Sequence, residues 1–184
     1  IKQKSHQHDL SLKHQEWLVK NFKNVEGHTV NLDELFLAFS SSLSKFDNEH
    51  GMANSRARLR MTTLYQVAAA NKGIVVGTGN KVEDFGVGFF TKYGDGGVDI
   101  SPIADLLKTE VYKLAKNLKI LKSIQKAAPT DGLWPDNRTD EDQFGVTYKE
   151  LEWAMKICES NIEEKAVSKR EKLVLKIYKR YNKN

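Results

Sequence analysis

The sequence predicts an α/β fold in which helices flank an open parallel sheet. Several segments have the apolar spacing of amphipathic helices, a short apolar run lies at 74–76, and a glycine-rich loop follows that run. A run that is apolar at successive positions is typical of a parallel strand that is covered on both faces. With 184 residues, the chain is long enough for one domain with a substantial core, so we predict a single domain over residues 1–184.

Apolar residues recur at helical spacing in four segments. The first spans residues 10–22, and the second begins after Asn31, which is suited to capping a helix N-terminus. The third spans residues 53–71 and the fourth spans residues 106–118. Each segment has one apolar stripe, so each is predicted to cover part of a core.

Shorter patterns predict what lies between these helices. Residues 28–30 are predicted to form a short strand and residues 48–51 a polar turn. The segment at 73–78 is predicted to form a strand that is buried on both faces. Helices that alternate with such strands favour the α/β class.

Two capping-box patterns predict helix starts near the C-terminus. Thr147 with Glu150 begins one helix, and Ser160 with Glu163 precedes a second helix that is rich in lysine and arginine. A basic helix could contact nucleic acid or a membrane surface. The sequence favours a solvated helix face for this segment.

Composition limits the class of protein. The net charge is +5, hydrophobic residues make up 40% and charged residues 29%, and no apolar run approaches the roughly 20 residues of a membrane span. The single cysteine, Cys158, excludes a disulfide within the chain and fits a reducing compartment. We therefore expect a cytoplasmic protein that binds neither nucleic acid nor membrane. Because the chain begins with Ile1 rather than Met, we also expect further sequence before it.

Two polar residues follow the predicted strand at 73–78. In open α/β sheets, ligands bind beyond the carboxyl ends of strands, where Thr78 is placed. Its hydroxyl could contact a nucleotide or cap the next helix. Glu83 could bind Mg²⁺ together with phosphate oxygens, or it could be a solvated surface residue.

The glycine-rich loop carries a cation and two carboxylates. Lys92, Asp95 and Asp99 are interleaved with glycines, which allow a ligand to approach the backbone closely. Lys92 could pair with a phosphate or carboxylate, and Asp99 could accept a hydrogen bond from a hydroxyl or amide. The alternative is a solvated turn with one internal ion pair.

Further cations and a hydroxyl occur outside this loop. Arg56 and Arg60 share one face of the predicted helix, and Arg58 points elsewhere. Solvated arginines are the default interpretation, but a guanidinium also suits a phosphate or carboxylate ligand. Lys108 and Thr130 have the same two alternatives, a surface position or a ligand contact.

Taken together, these motifs resemble NAD synthetase in their order and spacing. The matching pieces are Ala-Arg-Leu-Arg-Met at 57–61, Ile-Val-Val-Gly-Thr at 74–78, Glu83, Gly-Phe-Phe-Thr-Lys-Tyr-Gly-Asp-Gly-Gly at 88–97, Asp99, Pro102, Lys-Ala-Ala-Pro-Thr at 126–130, Thr-Asp-Glu-Asp at 139–142 and Gly-Val-Thr-Tyr at 145–148. The resemblance extends over residues 54–148 and more faintly over the start of the chain.

The resemblance implies an adenine-nucleotide hydrolase-like (Rossmann-like) fold, a homodimer, and ATP-dependent amidation of deamido-NAD. In that reaction ATP adenylates the nicotinate carboxylate and pyrophosphate leaves, after which ammonia attacks the adenylate to give NAD and AMP. The implied cofactor is Mg²⁺. The implied residue roles are Thr78, Lys108 and Thr130 at ATP, Glu83 at Mg²⁺, and Arg58, Lys92 and Asp99 at deamido-NAD.

Two motifs of this family have no counterpart in the sequence. One is the pyrophosphate loop Ser-Gly-Gly-x-Asp-Ser, and the other is a C-terminal His-Lys pair, for which Ser168-Lys169 is a poor substitute. We therefore expect a domain that is incomplete at both ends and inactive by itself. The alternative functions are a catalytically incomplete module for nucleotide binding or dimerisation, and a nucleic-acid-binding domain, which the lack of an aromatic-basic pattern disfavours.

Overall fold

Helices make up most of the regular structure. A computed structural model describes residues 5–132, 138–160 and 168–183. The α-helices in these ranges are α1 (Ser5–Asn21), α2 (Asp33–Ser42), α3 (Glu49–Ala70), α4 (Lys108–Asn117), α5 (Lys122–Gln125), α6 (Asp140–Phe144), α7 (Tyr148–Ser160) and α8 (Lys169–Tyr181). A 3-10 turn spans Ser44–Phe46 and a π-helix spans Val82–Val87. None of the described helices has the length and apolar composition that crossing a bilayer requires.

The hydrophobic core lies where α7 packs against α8 and the π-helix. Leu151 and Ala154 of α7, Val174 of α8 and Val82 of the π-helix are deeply buried there. Leu151 and Ala154 are three residues apart and therefore lie on one face of α7. The core thus anchors the π-helix and the polar side chains that it carries.

Hydrogen bonds hold both ends of the π-helix. Before it, Asn80 is buried and accepts a bond from the backbone N–H of Glu83 at 3.2 Å. After it, the side-chain amide of Asn182 donates to the carbonyl oxygens of Phe85 at 3.2 Å and Gly86 at 3.0 Å. Single-turn π-helices are frequent at functional sites, so this element identifies Glu83 as a residue of interest.

The predicted strand at 73–78 forms one parallel bridge, between Val76 and Ile100. The N–H of Gly77 donates to the carbonyl of Ile100 at 2.7 Å. No larger sheet occurs in the described ranges, so the predicted open parallel sheet is not confirmed. The prediction of burial on both faces is wrong, because Val75 is 6% exposed whereas Ile74 and Val76 are 59% and 54% exposed. Alternate side chains of an extended segment face opposite ways, and the described residues cover the side that carries Val75.

The strand predicted at 28–30 is also wrong. These residues have no regular secondary structure, and Val30 is exposed. A strand needs a partner edge, and the described backbone offers these residues none. The prediction that Asn31 is the N-cap of the second helix is wrong by one residue, because Leu32 is the N-cap of α2. The Asn31 side chain still accepts from the N–H of Asp33, the first residue of α2, at 2.8 Å.

The polar turn predicted at 48–51 is instead the first turn of α3. Asn48 is the N-cap, and its side-chain oxygen accepts from the N–H of Gly51 at 2.6 Å. The helix therefore begins four residues before the predicted start at 53. The helices predicted at 10–22 and 106–118 are confirmed as α1 and α4.

The first capping box is confirmed. The N–H of Thr147 donates to Glu150 Oε2 at 2.8 Å, and the N–H of Glu150 donates to Thr147 Oγ1 at 3.3 Å. Glu163 of the second predicted box lies outside the described residues. The basic helix, α8, begins with a box formed by Ser168 and Glu171.

Candidate active site

A cleft of about 790 Å³ lies between α3, the segment at 75–78 and the glycine-rich loop. Its volume is within the range of pockets that bind small molecules and cofactors. Four of the seven predicted site residues line the cleft, and these are Arg58, Thr78, Lys92 and Thr130. The three others, Glu83, Lys108 and Asp99, are outside this lining. The structure therefore brings together residues that are up to 72 positions apart in the sequence.

Close packing between α3 and the glycine-rich loop forms one wall of the cleft. Arg58 Nε donates to the carbonyl oxygen of Lys92 at 3.1 Å, and Thr91 Oγ1 donates to Asn54 Oδ1 at 2.7 Å. A methyl group on Gly94 would lie 2.9 Å from the side chain of Ala57. The absence of a side chain at position 94 is therefore what allows the loop to approach the helix.

A second arginine on α3 also faces the cleft. Arg60 is half-buried in the lining, whereas the sequence favoured a solvated position for it. Burial lowers the pKa of the Arg60 guanidinium, and the positive charge of Arg56 lowers it further. An anionic group bound in the cleft would offset both effects, because a nearby negative charge favours the charged form of the guanidinium.

Glu83 and Lys108 form an ion pair beside the cleft. Lys108 Nζ lies 2.7 Å from Glu83 Oε1, and the two side chains are 18% and 15% exposed. Tyr148 Oη donates to the same carboxylate oxygen at 2.5 Å, and the side-chain amide of Asn80 donates to Oε2. Glu83, which was predicted at Mg²⁺, and Lys108, which was predicted at ATP, thus lie in direct contact. Two residues with no predicted role, Tyr148 and Asn80, hold the Glu83 carboxylate.

A hydrogen-bonded chain connects this pair to the cleft. Tyr148 Oη lies 2.9 Å from Asp140 Oδ2, and Asp140 Oδ1 accepts from the N–H of Asp131, a lining residue, at 3.1 Å. Burial raises the pKa of the Asp140 carboxyl. The hydrogen bond from Tyr148 opposes this shift, and the nearby Glu83 carboxylate adds to it. The Tyr148 hydroxyl thus lies between two carboxylate oxygens, Glu83 Oε1 and Asp140 Oδ2.

Sequence reasoning assigned no role to Tyr148, Asp140 or Asn80. A signal for each was present, because the motifs at 139–142 and 145–148 contain Asp140 and Tyr148, and Asn80 follows the motif at 74–78. Taken separately, however, a tyrosine in the first turn of a helix and an asparagine in a loop are ordinary. Their role becomes visible only through their contacts with Glu83.

Asp99 makes contacts within the fold. Its Oδ2 accepts from the N–H of Val75 at 2.7 Å and its Oδ1 accepts from Tyr65 Oη at 3.1 Å. The carboxylate therefore joins the two bridged segments to α3. It is exposed, and its place at deamido-NAD stays a prediction.

The two predicted threonines differ in their surroundings. Thr130 Oγ1 donates to the carbonyl of Arg138 at 3.0 Å and accepts from the N–H of Gly132 at 3.2 Å, which fixes its loop. Thr78 is exposed in the lining, and the alternative role of helix cap belongs to Asn80 instead. The Thr78 hydroxyl is therefore available to a ligand.

The contacts of Glu83 show how Mg²⁺ would fit. A carboxylate has about four acceptor positions. Lys108 and Tyr148 occupy both positions on Oε1, and Asn80 occupies one on Oε2, which leaves one position for a metal. The described residues contain no group of three or more possible metal ligands. Glu83 would thus supply one carboxylate ligand to Mg²⁺, and phosphate oxygens and water would supply the others.

Comparison with known proteins gives consistent matches. The family model described as NAD synthase matches residues 2–184. The protein named NH(3)-dependent NAD(+) synthetase from Carboxydothermus hydrogenoformans is 44% identical over 139 residues, which are 73% of this chain and 56% of that protein. The chain spans about half the length of the curated relatives it matches.

Two solved structures have a similar fold. The NMN synthetase from Francisella tularensis matches with a TM-score of 0.79 and 34% identity, covering 97% of this chain and 69% of that one. The NH3-dependent NAD synthetase from Campylobacter jejuni matches with a TM-score of 0.72 and 24% identity, covering 100% and 68%. At that identity the second match supports the fold alone.

Proposed function

Because the chain belongs to the NAD synthase family, we propose that it forms part of an enzyme that amidates deamido-NAD to NAD with ATP and ammonia. The observation that carries this proposal is the position of the Glu83–Lys108 ion pair beside a cleft lined by Arg58 and Lys92. A dinucleotide and a triphosphate both carry negative charge, and these groups supply three cations and one candidate metal ligand.

Different residues in and beside the cleft would contact the two substrates. Arg58 and Lys92 on one wall would pair with the phosphates or carboxylate of deamido-NAD. The hydroxyls of Thr78 and Thr130 would contact ATP, and Lys108 would offset its phosphate charge. Mg²⁺, when bound at Glu83, supplies positive charge that stabilises the phosphates during transfer.

The proposed reaction has two balanced steps. A nicotinate carboxylate oxygen bonds to the α-phosphorus of ATP as the bond to the β-phosphate breaks, and pyrophosphate leaves. The nitrogen of ammonia then bonds to the carboxyl carbon as the bond to AMP breaks, and one proton is released. The cleft would hold both reactants in one orientation, which lowers the entropic barrier to each step.

We also propose that the protein acts as a homodimer in the cytoplasm. The helix α2 has no buried side chain, and Leu37 on it and Phe46 in the 3-10 turn are exposed apolar residues. Exposed apolar side chains on neighbouring elements favour an interface. Light scattering of the intact protein tests this, and a monomeric mass at micromolar concentration would contradict it.

Two alternative functions would use the same cleft. The likeness to an NMN synthetase structure favours a test of the mononucleotide, whose amidation would give nicotinamide mononucleotide. A module that binds nucleotides without turnover is the other alternative.

One assay separates these possibilities. The intact protein is incubated with ATP, Mg²⁺, saturating ammonium and either deamido-NAD or nicotinate mononucleotide, and products are separated by chromatography. We expect equal amounts of NAD, AMP and pyrophosphate from deamido-NAD, and a large loss in Lys92→Gln but not in Lys116→Gln, an exposed control on α4. Product from the mononucleotide alone would reassign the substrate, and ATP binding without product would support the inactive module.

A further inference from the structure

We propose that Tyr148 and Asp140 are positioning residues that orient Glu83 toward the metal. This inference rests on the proposed function, in which Glu83 binds Mg²⁺. Magnesium requires near-ideal octahedral geometry with ligand distances of about 2.0–2.1 Å, so a carboxylate ligand must be held in one orientation.

Tyr148 decides which oxygen of Glu83 is left for the metal. Its hydroxyl and the ammonium of Lys108 both donate to Oε1, at 2.5 and 2.7 Å. With Oε1 saturated in this way, the remaining acceptor position is on Oε2, which also accepts from Asn80. Removal of the hydroxyl would free a position on Oε1 and allow the carboxylate to rotate about its last torsion.

The tyrosine itself is rigidly placed. Tyr148 is 4% exposed, its ring packs edge-on against Phe144 at 6.2 Å, and Lys108 Nζ lies 5.0 Å from the ring centroid. The first turn of α7 carries it, and α7 forms the centre of the core. Core packing therefore fixes the position of the Tyr148 hydroxyl, and the hydroxyl in turn orients the Glu83 carboxylate.

Asp140 is the second carboxylate that contacts the Tyr148 hydroxyl. It is 5% exposed, lies 2.9 Å from Tyr148 Oη through Oδ2, and accepts from Asp131 N–H through Oδ1. Asp131 lines the cleft next to Thr130, so the same carboxylate holds the loop that would contact ATP. Asp140 therefore couples the metal ligand to the nucleotide side of the cleft.

The test measures metal binding separately from activity. Binding of Mn²⁺ to the intact protein in the presence of α,β-methylene-ATP is followed by electron paramagnetic resonance. Loss of a group that orients a metal ligand typically weakens metal affinity by about 10-fold or more, so we expect this for Tyr148→Phe. The KM for deamido-NAD should change by less than about twofold, because the Arg58–Lys92 wall is untouched.

Tyr178→Phe is the matched control. Tyr178 lies in the same buried core, and the titratable groups near its hydroxyl are Cys158 and Glu159 rather than Glu83. We expect this variant to keep the wild-type Mn²⁺ affinity.

Asp140 provides a second test if Tyr148→Phe does not fold. Asp140→Asn can still bond to both Tyr148 and Asp131 and should stay near wild type, whereas Asp140→Ala should weaken Mn²⁺ binding.

The outcomes separate this inference from the proposed function. Unchanged Mn²⁺ affinity in a folded Tyr148→Phe variant, or no Mn²⁺ binding by the wild type, overturns the inference. A wild type that forms no amidated product, together with weakened Mn²⁺ binding in Tyr148→Phe, overturns the proposed function and supports the inference.

Discussion

Arg170 of α8 forms a two-pronged ion pair with Glu150 in the first turn of α7. Its Nε lies 2.6 Å from Oε1 and its Nη2 lies 2.8 Å from Oε2. Glu150 also closes the capping box with Thr147. One carboxylate therefore both caps the start of α7 and joins α7 to α8. It lies two residues from Tyr148, the buried tyrosine that contacts Glu83.

This ion pair predicts a pH-dependent contribution to stability. Hydrogen bonding to Arg170 lowers the pKa of Glu150 to about 2, from an ordinary value of 4.5. A lowered carboxyl pKa stabilises the fold fully above the unfolded value, and this stabilisation disappears as pH falls through the folded value. We expect Arg170→Met to lower the unfolding midpoint by about 2 °C at pH 7, because solvent screens a pair whose side chains are 52% and 28% exposed.

Thermal unfolding between pH 7 and pH 2 measures this difference. The difference in unfolding midpoint between wild type and Arg170→Met should begin to decrease below pH 4.5 and continue to decrease toward pH 2. Lys169→Met, next to it in the sequence, is the control and should show no such pattern. A difference in unfolding midpoint that does not depend on pH would mean that Arg170 stabilises the fold through packing rather than through its charge.

Lys108 is expected to act mainly on ATP. Lys108→Gln removes the cation from Glu83 and from the bound phosphates, so we expect kcat/KM for ATP to fall about 100-fold, in the range seen for loss of a charge-stabilising donor. Steady-state kinetics with varied ATP measures this effect. Lys113→Gln, an exposed position on the same helix, should leave it unchanged. Similar losses in both variants would assign the effect to the helix rather than to the ion pair.

Asp99 offers a test that separates binding from folding. Asp99→Ala should raise the KM for deamido-NAD more than that for ATP if the carboxylate contacts the dinucleotide. Tyr65→Phe removes one hydrogen bond to Asp99 and keeps the carboxylate charge, so it should lower the unfolding midpoint slightly without changing either KM. Equal increases in both KM values for Asp99→Ala would show that its effect comes from the loss of its bond to Val75.

Gly94 is expected to be sensitive to any side chain. A methyl group there would lie 2.8 Å from Thr91 Cγ2 and 2.9 Å from Ala57 Cβ. Gly94→Ala should therefore destabilise the protein by about 1–3 kcal/mol and push the glycine-rich loop from α3. Gly73→Ala, whose nearest neighbour would lie 3.7 Å away, should change stability by less than about 0.5 kcal/mol in the same denaturant titration. Comparable losses in both variants would contradict the packing argument.

Local patterns in the sequence predicted local structure well. The helices at 10–22 and 106–118 and the capping box at Thr147 follow from rules that act over a few residues, and all three are confirmed. The strand at 28–30 and the burial of Ile74 were wrong because strand formation and two-sided burial depend on distant partners. Short apolar runs contain no information about which partners are present.

The sequence by itself determined which residue types are available for a phosphate-binding site, and the order of its motifs placed the chain among NAD synthetases. Only the tertiary structure decided that Glu83 contacts Lys108, 25 residues away, and Tyr148, 65 residues away. Those contacts arise because α7 packs against the π-helix through a shared apolar core, which brings the polar ends of both elements together. Core packing is a property of whole surfaces, so no single motif could have indicated it.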